Sequence, residues 1–130
     1  MTTTVEHGRS PVDPRPVGAE TNGTVTITGW RCVSCAHPLT QEVLRCPLCR
    51  SRVGPATFAT SGVVWASTCL RVRVPDYPPP FAVAYLTLDD GPRVLVHTPG
   101  DSPIRPGRRA TVTSVSPAGD LVANESEDRA

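Results

Sequence analysis

Residues 31 to 50 read RCVSCAHPLTQEVLRCPLCR and hold four of the five cysteines of the chain. They form two Cys-x-x-Cys pairs, Cys32/Cys35 and Cys46/Cys49, with ten residues between the pairs. Four thiolates at this spacing complete the tetrahedral coordination of one Zn²⁺ ion. Because no coordination position is left for a water molecule, the pattern predicts a structural zinc site with one ion per chain.

The surroundings of the cysteines favour zinc over two alternatives. A rubredoxin-like iron centre uses similar cysteine pairs, but the short spacer and the scarcity of nearby aromatic residues favour zinc. Two disulfides would require an oxidising compartment. We expect the block to unfold without metal, because it has few apolar residues to bury. These are Val33, Leu39, Val43, Leu44 and Leu48.

Length and composition predict one domain, or one domain with a small satellite. The 130 residues include 13 basic residues, all of them Arg, 12 acidic residues and 15 Pro. The sequence shows neither an apolar signal-peptide segment nor an apolar run of membrane-spanning length. We therefore expect a cytoplasmic protein that does not contact a membrane. In such a compartment paired cysteines bind metal rather than form disulfides.

Turn residues divide the chain into four parts. Residues 1–23 lack periodicity and predict a disordered arm. Residues 24–54 form the predicted zinc ribbon, residues 55–117 a predicted barrel, and residues 118–130 a short last strand with an acidic tail. The β-type segments are SGVVWASTCLRVRV (61–74), FAVAYLTLDDG (81–91), PRVLVHTPG (92–100), RRATVTSVS (108–116) and AGDLVA (118–123).

The first of these segments alternates, which predicts the residues that enter the core. That face carries Val64, Ala66, Thr68, Leu70, Val72 and Val74. An Asp90-Gly91 turn predicts a hairpin between the next two segments. The predicted fold class is mainly β, with an N-terminal rubredoxin-like zinc ribbon followed by a small five-stranded OB-fold barrel. The edge of a β-sandwich is the alternative, although about sixty residues are short for it.

Outside the ribbon, the sequence shows no catalytic constellation. Cys69 has no histidine near it in the sequence and is interpreted as an inert strand residue. His97 ends a strand and is interpreted as a packed or surface histidine. Asp89 and Asp90 lie in a turn, which disfavours paired acid–base work. No Ser/His/Asp order, phosphate loop or nucleotide fingerprint is present.

Arginine and aromatic side chains are the remaining candidates for contacts with a ligand or partner. The chain is only mildly basic between residues 24 and 117 and has few aromatic residues, so a nucleic-acid-binding module is a weaker alternative. The prolines of DYPPPF (76–81) favour an extended segment that suits a partner groove. The predicted contact residues are Arg31, Arg45, Arg50, Arg52, Trp65, Tyr77, Pro79, Pro80 and Phe81.

The order of the motifs resembles one family. GWRCVSC and CPLC are followed by SGVVWAST, YPPPFAVAYLTLDDGPRVLVH and IRPGRRATVT, between residues 29 and 115. This set is similar to the zinc-ribbon/OB-fold proteins that accompany acyl-CoA enzymes, long catalogued as a domain of unknown function. The small subunit of the phloroglucinol acetyltransferase complex of secondary metabolism is one member.

The resemblance implies an accessory scaffold subunit that is not an enzyme by itself. Its expected partner is a thiolase-like or ketoacyl-synthase-like acyltransferase, or a related hydratase or aldolase, with a synthase-like third subunit in some complexes. The subunit is expected to bridge the catalytic partners and to contribute to the acyl-CoA site. A nucleic-acid module and an iron redox carrier are the competing hypotheses.

The sequence departs from the family at the cysteine pairs, at the N-terminus and at Cys69, where the family usually has another residue. Family members usually have Gly after the second cysteine of each pair, where this chain has Ala36 and Arg50. The N-terminal helix of the family is not evident, and GTVTITGW (23–30) occupies its place.

Overall fold

The computed structural model describes residues 15–126, and the regular structure in this range is entirely β. The predicted mainly-β class is therefore confirmed. Within the described range, no helix is present that is long and apolar enough to cross a membrane. The strands are β1 (Val17–Thr21), β2 (Thr24–Cys32), β3 (Pro38–Leu39), β4 (Val53–Phe58), β5 (Ser61–Leu70), β6 (Phe81–Leu88), β7 (Arg93–Thr98), β8 (Arg109–Val115) and β9 (Leu121–Glu125).

The first four strands form an antiparallel sheet around β2, which pairs with β1, β3 and β4. A two-residue turn joins β1 to β2, and both of its residues, Asn22 and Gly23, have positive φ angles of 53° and 78°. Asn-Gly is a strong signal for a type I′ hairpin turn. The prediction of a disordered arm up to residue 23 is wrong for β1, and residues 1–14 of that arm lie outside the described residues.

The last five strands close a barrel in the order β5-β6-β7-β9-β8, with β8 pairing back to β5. All pairs are antiparallel except β7 with β9. A small closed five-stranded barrel of this kind is an OB-type barrel, as predicted. The short last strand predicted at residues 118–123 is found as β9, the fifth strand of the barrel. The predicted boundary after residue 54 falls inside β4, which pairs with the ribbon strand β2.

One hydrophobic core joins the ribbon sheet to the barrel. Val25 and Ile27 of β2 and Phe58 of β4 are buried in the same cluster as the barrel interior. The β-sheet therefore rests on the barrel and is held by burial of apolar surface. The cluster consists of Val25, Ile27, Phe58, Val64, Ala84, Leu86, Leu88, Val94, Val96, Ile104, Ala110, Val112, Leu121 and Ala123.

A β-bulge in β5 changes which residues face outward. The pairing with β6 shifts between Val64, which faces Leu86, and Ala66, which faces Tyr85. Because a bulge adds one residue to a strand, it reverses the alternation after it. Trp65 and Ala66 therefore both belong to the outer surface. The predicted core face is right at Val64 and wrong after it.

The predicted core face also fails beyond the end of the strand. Strand β5 ends at Leu70 rather than at Val74. Val72 is 58% exposed and Val74 is 39% exposed. Both residues lie in the connection to β6, where alternation no longer implies burial.

The predicted Asp-Gly turn joins β6 to β7. The amide of Gly91 donates to the Leu88 carbonyl at 3.0 Å, and Asp90 has a positive φ of 58°. Asp89 is not part of a carboxylate pair, because both of its oxygens accept hydrogen bonds from Arg109 of β8. The Arg109 guanidinium lowers the pKa of Asp89. This ion pair ties the turn to the strand that closes the barrel.

We predict that Gly62→Ala lowers the free energy of unfolding by about 2 kcal/mol or more. Gly62 lies between Leu88 of β6 and Ala110 of β8, where the barrel closes. A Cβ atom there would overlap the Thr87 carbonyl, which is backbone and cannot move aside easily. Urea unfolding of the metal-loaded protein measures the effect.

Gly54→Ala is the matched control, because a Cβ atom at Gly54 meets only the Val33 side chain, at an ordinary 3.7 Å. Equal unfolding free energies for the two variants would contradict this account of barrel closure.

Candidate metal centre

The structure brings the four predicted ligands together. The Sγ atoms of Cys32, Cys35, Cys46 and Cys49 all lie within 4.8 Å of one another. The sulfurs of Cys32 and Cys49 are 3.4 Å apart, and those of Cys35 and Cys46 are 3.7 Å apart. Four sulfurs about 2.3 Å from one tetrahedral ion lie roughly 3.8 Å from one another. The cluster therefore fits a single four-coordinate metal ion.

The two cysteine pairs form two turns of the same construction. In the first turn the Ala36 amide donates to the Cys32 carbonyl at 3.1 Å. In the second turn the Arg50 amide donates to the Cys46 carbonyl at 2.8 Å. Each turn aims both of its sulfurs toward the other turn. Spacers of two residues are therefore enough to build the whole site.

Backbone amides point at the sulfurs. The amides of Ser34 and Cys35 lie 3.4 Å from the Cys32 sulfur, and the amide of Leu48 lies 3.4 Å from the Cys46 sulfur. Hydrogen bonds of this kind favour the thiolate over the thiol. The turns are thus arranged to hold negative charge.

The pKa values of the cysteine thiols indicate that the site favours a bound cation. Hydrogen bonds from the Ser51 hydroxyl and amide lower the pKa of Cys49 to about 6. Desolvation opposes ionisation of Cys46, but hydrogen bonds from the Cys49 and Leu48 amides and from the Cys35 and Cys32 sulfurs together lower its pKa. A hydrogen bond from the His37 amide favours the Cys35 thiolate. Desolvation and hydrogen bonds shared with the other sulfurs nevertheless raise the pKa of Cys35 to about 12. Because four adjacent thiolates repel one another, all four cysteines ionise together only when a positive ion lies between them.

The ribbon has almost no apolar core of its own. Leu44 is 94% exposed, Leu48 is 69% exposed and Val33 is 58% exposed. Of residues 31 to 52, only Cys32 and Cys46 are buried. The few apolar residues of this block are thus mostly exposed and bury little surface. The sulfur cluster therefore forms the centre of the ribbon.

Ala36 and Arg50 occupy backbone conformations that suit glycine. Their φ angles are 67° and 70°, in the left-handed region. These are the two positions at which the resembled family usually has Gly. A side chain with a Cβ atom costs about 1–2 kcal/mol in this conformation. The turns thus keep the expected geometry at some cost in strain.

The predicted contact arginines have two different roles. Arg31 is half-buried and donates to the carbonyls of Ala36 at 2.8 Å and Asp90 at 2.7 Å. Its guanidinium also lies 5.3 Å from the centre of the Phe58 ring. Arg31 therefore joins the first cysteine turn to the β6–β7 turn of the barrel. The other three arginines, Arg45, Arg50 and Arg52, are exposed on the ribbon.

Trp65 lies among residues that the sequence analysis did not select. Its ring makes an edge contact with Tyr85 at a centroid distance of 6.1 Å, and the Arg93 guanidinium lies 3.9 Å from its ring centre. Leu95 pairs with Tyr85 on the neighbouring strand. The alternation of side chains along β6 and β7 could have predicted that Tyr85, Arg93 and Leu95 face outward. Their grouping depends on strand register.

Tyr77 and Phe81 surround His97. The Tyr77 ring stacks on His97 at 4.0 Å, and the Phe81 ring lies 5.7 Å from it. The Tyr77 hydroxyl donates to Asp120 Oδ2 at 2.8 Å. Burial lowers the pKa of His97 against the opposing effect of Asp120, whose carboxylate is 3.9 Å away. His97 is thus a packed histidine, as the sequence analysis proposed.

The remaining predicted residues are not grouped with the metal site. Cys69 is a half-buried thiol in β5 opposite Ala82. Pro79 and Pro80 are exposed in the connection between β5 and β6.

Comparisons with known proteins give a single kind of match. Neither a family model nor a curated protein matches the chain. Among solved structures, the chain is similar to a chain of the Ltp2-ChsH2(DUF35) aldolase, with a TM-score of 0.60 and 23% sequence identity. The match covers 75% of this chain and 83% of that chain. The two chains share a fold. The likeness supports the combination of cysteine ribbon and barrel described above.

We predict that the protein binds one divalent metal ion per chain and that Cys46→Ser abolishes stoichiometric binding, because it removes the buried ligand of the second turn. Elemental analysis of the purified, dialysed protein measures the ratio. Cys69→Ser is the control and should keep one ion per chain. Full metal content in Cys46→Ser would show that the cluster is not the binding site.

We also predict that Ala36→Gly and Arg50→Gly each raise the free energy of unfolding of the metal-loaded protein by about 1 kcal/mol, because glycine adopts positive φ without strain. Ser34→Gly is the control in the same turn. It should be neutral or destabilising, because it only increases the freedom of the unfolded chain. Destabilisation by all three substitutions in urea unfolding would argue against the left-handed conformations.

Proposed function

We propose that this protein is a non-catalytic accessory subunit of a cytoplasmic enzyme complex that acts on acyl-CoA or related substrates. The observation that carries the proposal is the fold shared with a chain of the Ltp2-ChsH2(DUF35) aldolase, whose name couples a DUF35 protein to an aldolase. The motifs between residues 29 and 115 also resemble accessory subunits of acyl-CoA enzymes. The two lines of support come from structure and from sequence.

The chemistry of the described residues favours a structural role over a catalytic one. Four sulfurs fill a tetrahedral site, so its ion has no open position for a substrate or water. His97 is packed against the rings of Tyr77 and Phe81. Its Nε2 atom lies 3.9 Å from Asp120 Oδ2, which is longer than a hydrogen bond. We propose that the reacting groups belong to the partner.

The exposed surface supports contact with other proteins at two separate places. The first, which we name the ribbon tip, consists of Val33, Leu44 and Leu48 with Arg45, Arg50 and Arg52. The second lies on the barrel around Trp65, which is 56% exposed. Exposed apolar groups clustered beside arginine are typical of protein–protein interfaces. Two such places on one chain suit a subunit that bridges partners.

The partner that we propose is a thiolase-like or ketoacyl-synthase-like acyltransferase, with an aldolase or hydratase as the related possibility and a synthase-like protein as a third subunit. The motif resemblance favours the thiolase-like partner, and the structural neighbour favours the aldolase. The exposed arginines of the ribbon tip suit contact with the phosphates of an acyl-CoA bound by such a partner.

We propose zinc as the metal of the cysteine cluster. A closed set of four thiolates is a common structural zinc site, and zinc supplies no redox chemistry. An iron centre would colour the protein and would support a redox carrier instead.

Co-expression tests the proposed function. The chain is expressed with thiolase-like and aldolase-like proteins encoded beside it, and the complex is purified through a tag on this chain. We expect one of them to co-purify in a fixed ratio and to lose solubility or acyl-transfer or aldol activity when expressed alone. A partner that is soluble and fully active alone, with nothing co-purifying, would refute the proposal. Cys46→Ser is the companion variant and is expected to reduce complex formation.

A further inference from the structure

The outer surface of β5, β6 and β7 exposes three large apolar side chains side by side. Trp65 is 56% exposed, Tyr85 is 47% exposed and Leu95 is 43% exposed. Strand register places them together, because Tyr85 pairs with Leu95 on one side and with Ala66 on the other. We name this surface the barrel face and define it by Trp65, Ala66, Thr68, Tyr85, Arg93 and Leu95.

The bulge in β5 gives the barrel face a pocket. Because Trp65 and Ala66 both face outward after the bulge, a small side chain stands beside the Tyr85 ring. A cavity of about 150 Å³ opens there, lined mainly by Ala66, Val83, Tyr85 and Leu95. Small-molecule sites usually measure about 300–1,000 Å³. The pocket is therefore sized for a single apolar side chain of a partner.

The barrel face carries very little charge. Strands β5, β6 and β7 contain no carboxylate, and Arg93 is their one arginine. Its guanidinium lies over the Trp65 ring at 3.9 Å, and its Nε donates to the Thr87 hydroxyl at 3.1 Å. Among the described residues no carboxylate pairs with Arg93. Contacts with Trp65 and Thr87 thus fix the position of the Arg93 side chain, and its terminal nitrogens form no ion pair with a described carboxylate.

These features decide between possible occupants. A nucleic acid needs a row of cations along its phosphates. The barrel face offers Arg93, and the adjoining pocket adds only Arg15, which pairs with Asp120. A second copy in a symmetric dimer would present the same surface. The barrel face has no carboxylate for Arg93, and the nearest pocket carboxylate, Asp120, already accepts hydrogen bonds from Arg15 and Tyr77. Tryptophan, tyrosine and arginine around an apolar pocket are instead typical of the energetic centre of an interface between different proteins.

We infer that the barrel face is the docking surface for the catalytic partner protein, which inserts one apolar side chain between Ala66, Tyr85 and Leu95 and sets a carboxylate against Arg93. The inference rests on the proposed function for the identity of the partner. It adds the surface that the partner uses and the chemistry that the partner must offer, namely an apolar anchor beside an acidic residue.

Two substitutions test the docking surface on the full-length, metal-loaded chain. Leu95→Ser removes one wall of the pocket, and Arg93→Glu reverses the single charge. Both side chains point outward, so metal content and urea unfolding should stay close to wild type. We expect each variant to weaken binding of the co-expressed partner at least tenfold by calorimetry or interferometry. Arg105→Glu, at an exposed position in the β7–β8 connection, is the charge-matched control and should bind as wild type does.

The outcomes separate the inference from the proposed function. If wild type binds a partner and both variants bind equally well, the inference is wrong and the proposed function stands. If wild type binds none of the candidate partners, both fail. Sedimentation velocity of the chain alone should show a monomer, and a dimer dissociated by Leu95→Ser would assign the surface to a second copy. Binding of a labelled oligothymidylate that is lost in Arg93→Glu would assign it to nucleic acid. Either result overturns the inference.

Discussion

Four cysteine sulfurs within 4.8 Å of one another are the constraint on which the ribbon depends. Of residues 31 to 52 only Cys32 and Cys46 are buried, while Leu44 is 94% exposed. Apolar burial therefore cannot order this segment, and a metal ion bound by the four sulfurs would take the place of a core. This arrangement also frees the apolar residues of the ribbon tip for the surface, where a partner can reach them.

The barrel anchors the ribbon through a shared apolar core and through Arg31. Ile27 and Phe58 carry the ribbon sheet into the barrel core, and Arg31 bonds the first cysteine turn to the carbonyl of Asp90 in the β6–β7 turn. The shared apolar core thus joins the sheet of the ribbon to the barrel, and the sulfur cluster is the expected metal site that orders the ribbon tip. A chain joined in this way can present the ribbon tip and the barrel face in a fixed relation, as a bridging subunit requires.

Local sequence signals predicted much of the fold. The cysteine spacing predicted the four ligands, and Asp90-Gly91 predicted the β6–β7 hairpin, because both features act within a few residues. The Asn22-Gly23 dipeptide is an equally local signal for a hairpin turn. It would have predicted a strand before residue 22, where the disordered arm was expected and β1 is found. The bulge at Trp65 leaves no such signal. It reversed the predicted alternation, and the grouping of Trp65 with Tyr85 and Leu95 depends on pairing between distant strands.

Amide hydrogen exchange, followed by NMR before and after stoichiometric removal of the metal, tests whether the sulfur cluster is the core of the ribbon. The amides of Ala36 and Arg50 hydrogen-bond within the cysteine turns, and those of Val64 and Val112 hydrogen-bond within the barrel. We expect Ala36 and Arg50 to lose their protection without metal while Val64 and Val112 retain it. Continued protection of Ala36 and Arg50 in the metal-free protein would contradict the claim that the sulfur cluster is the core of the ribbon.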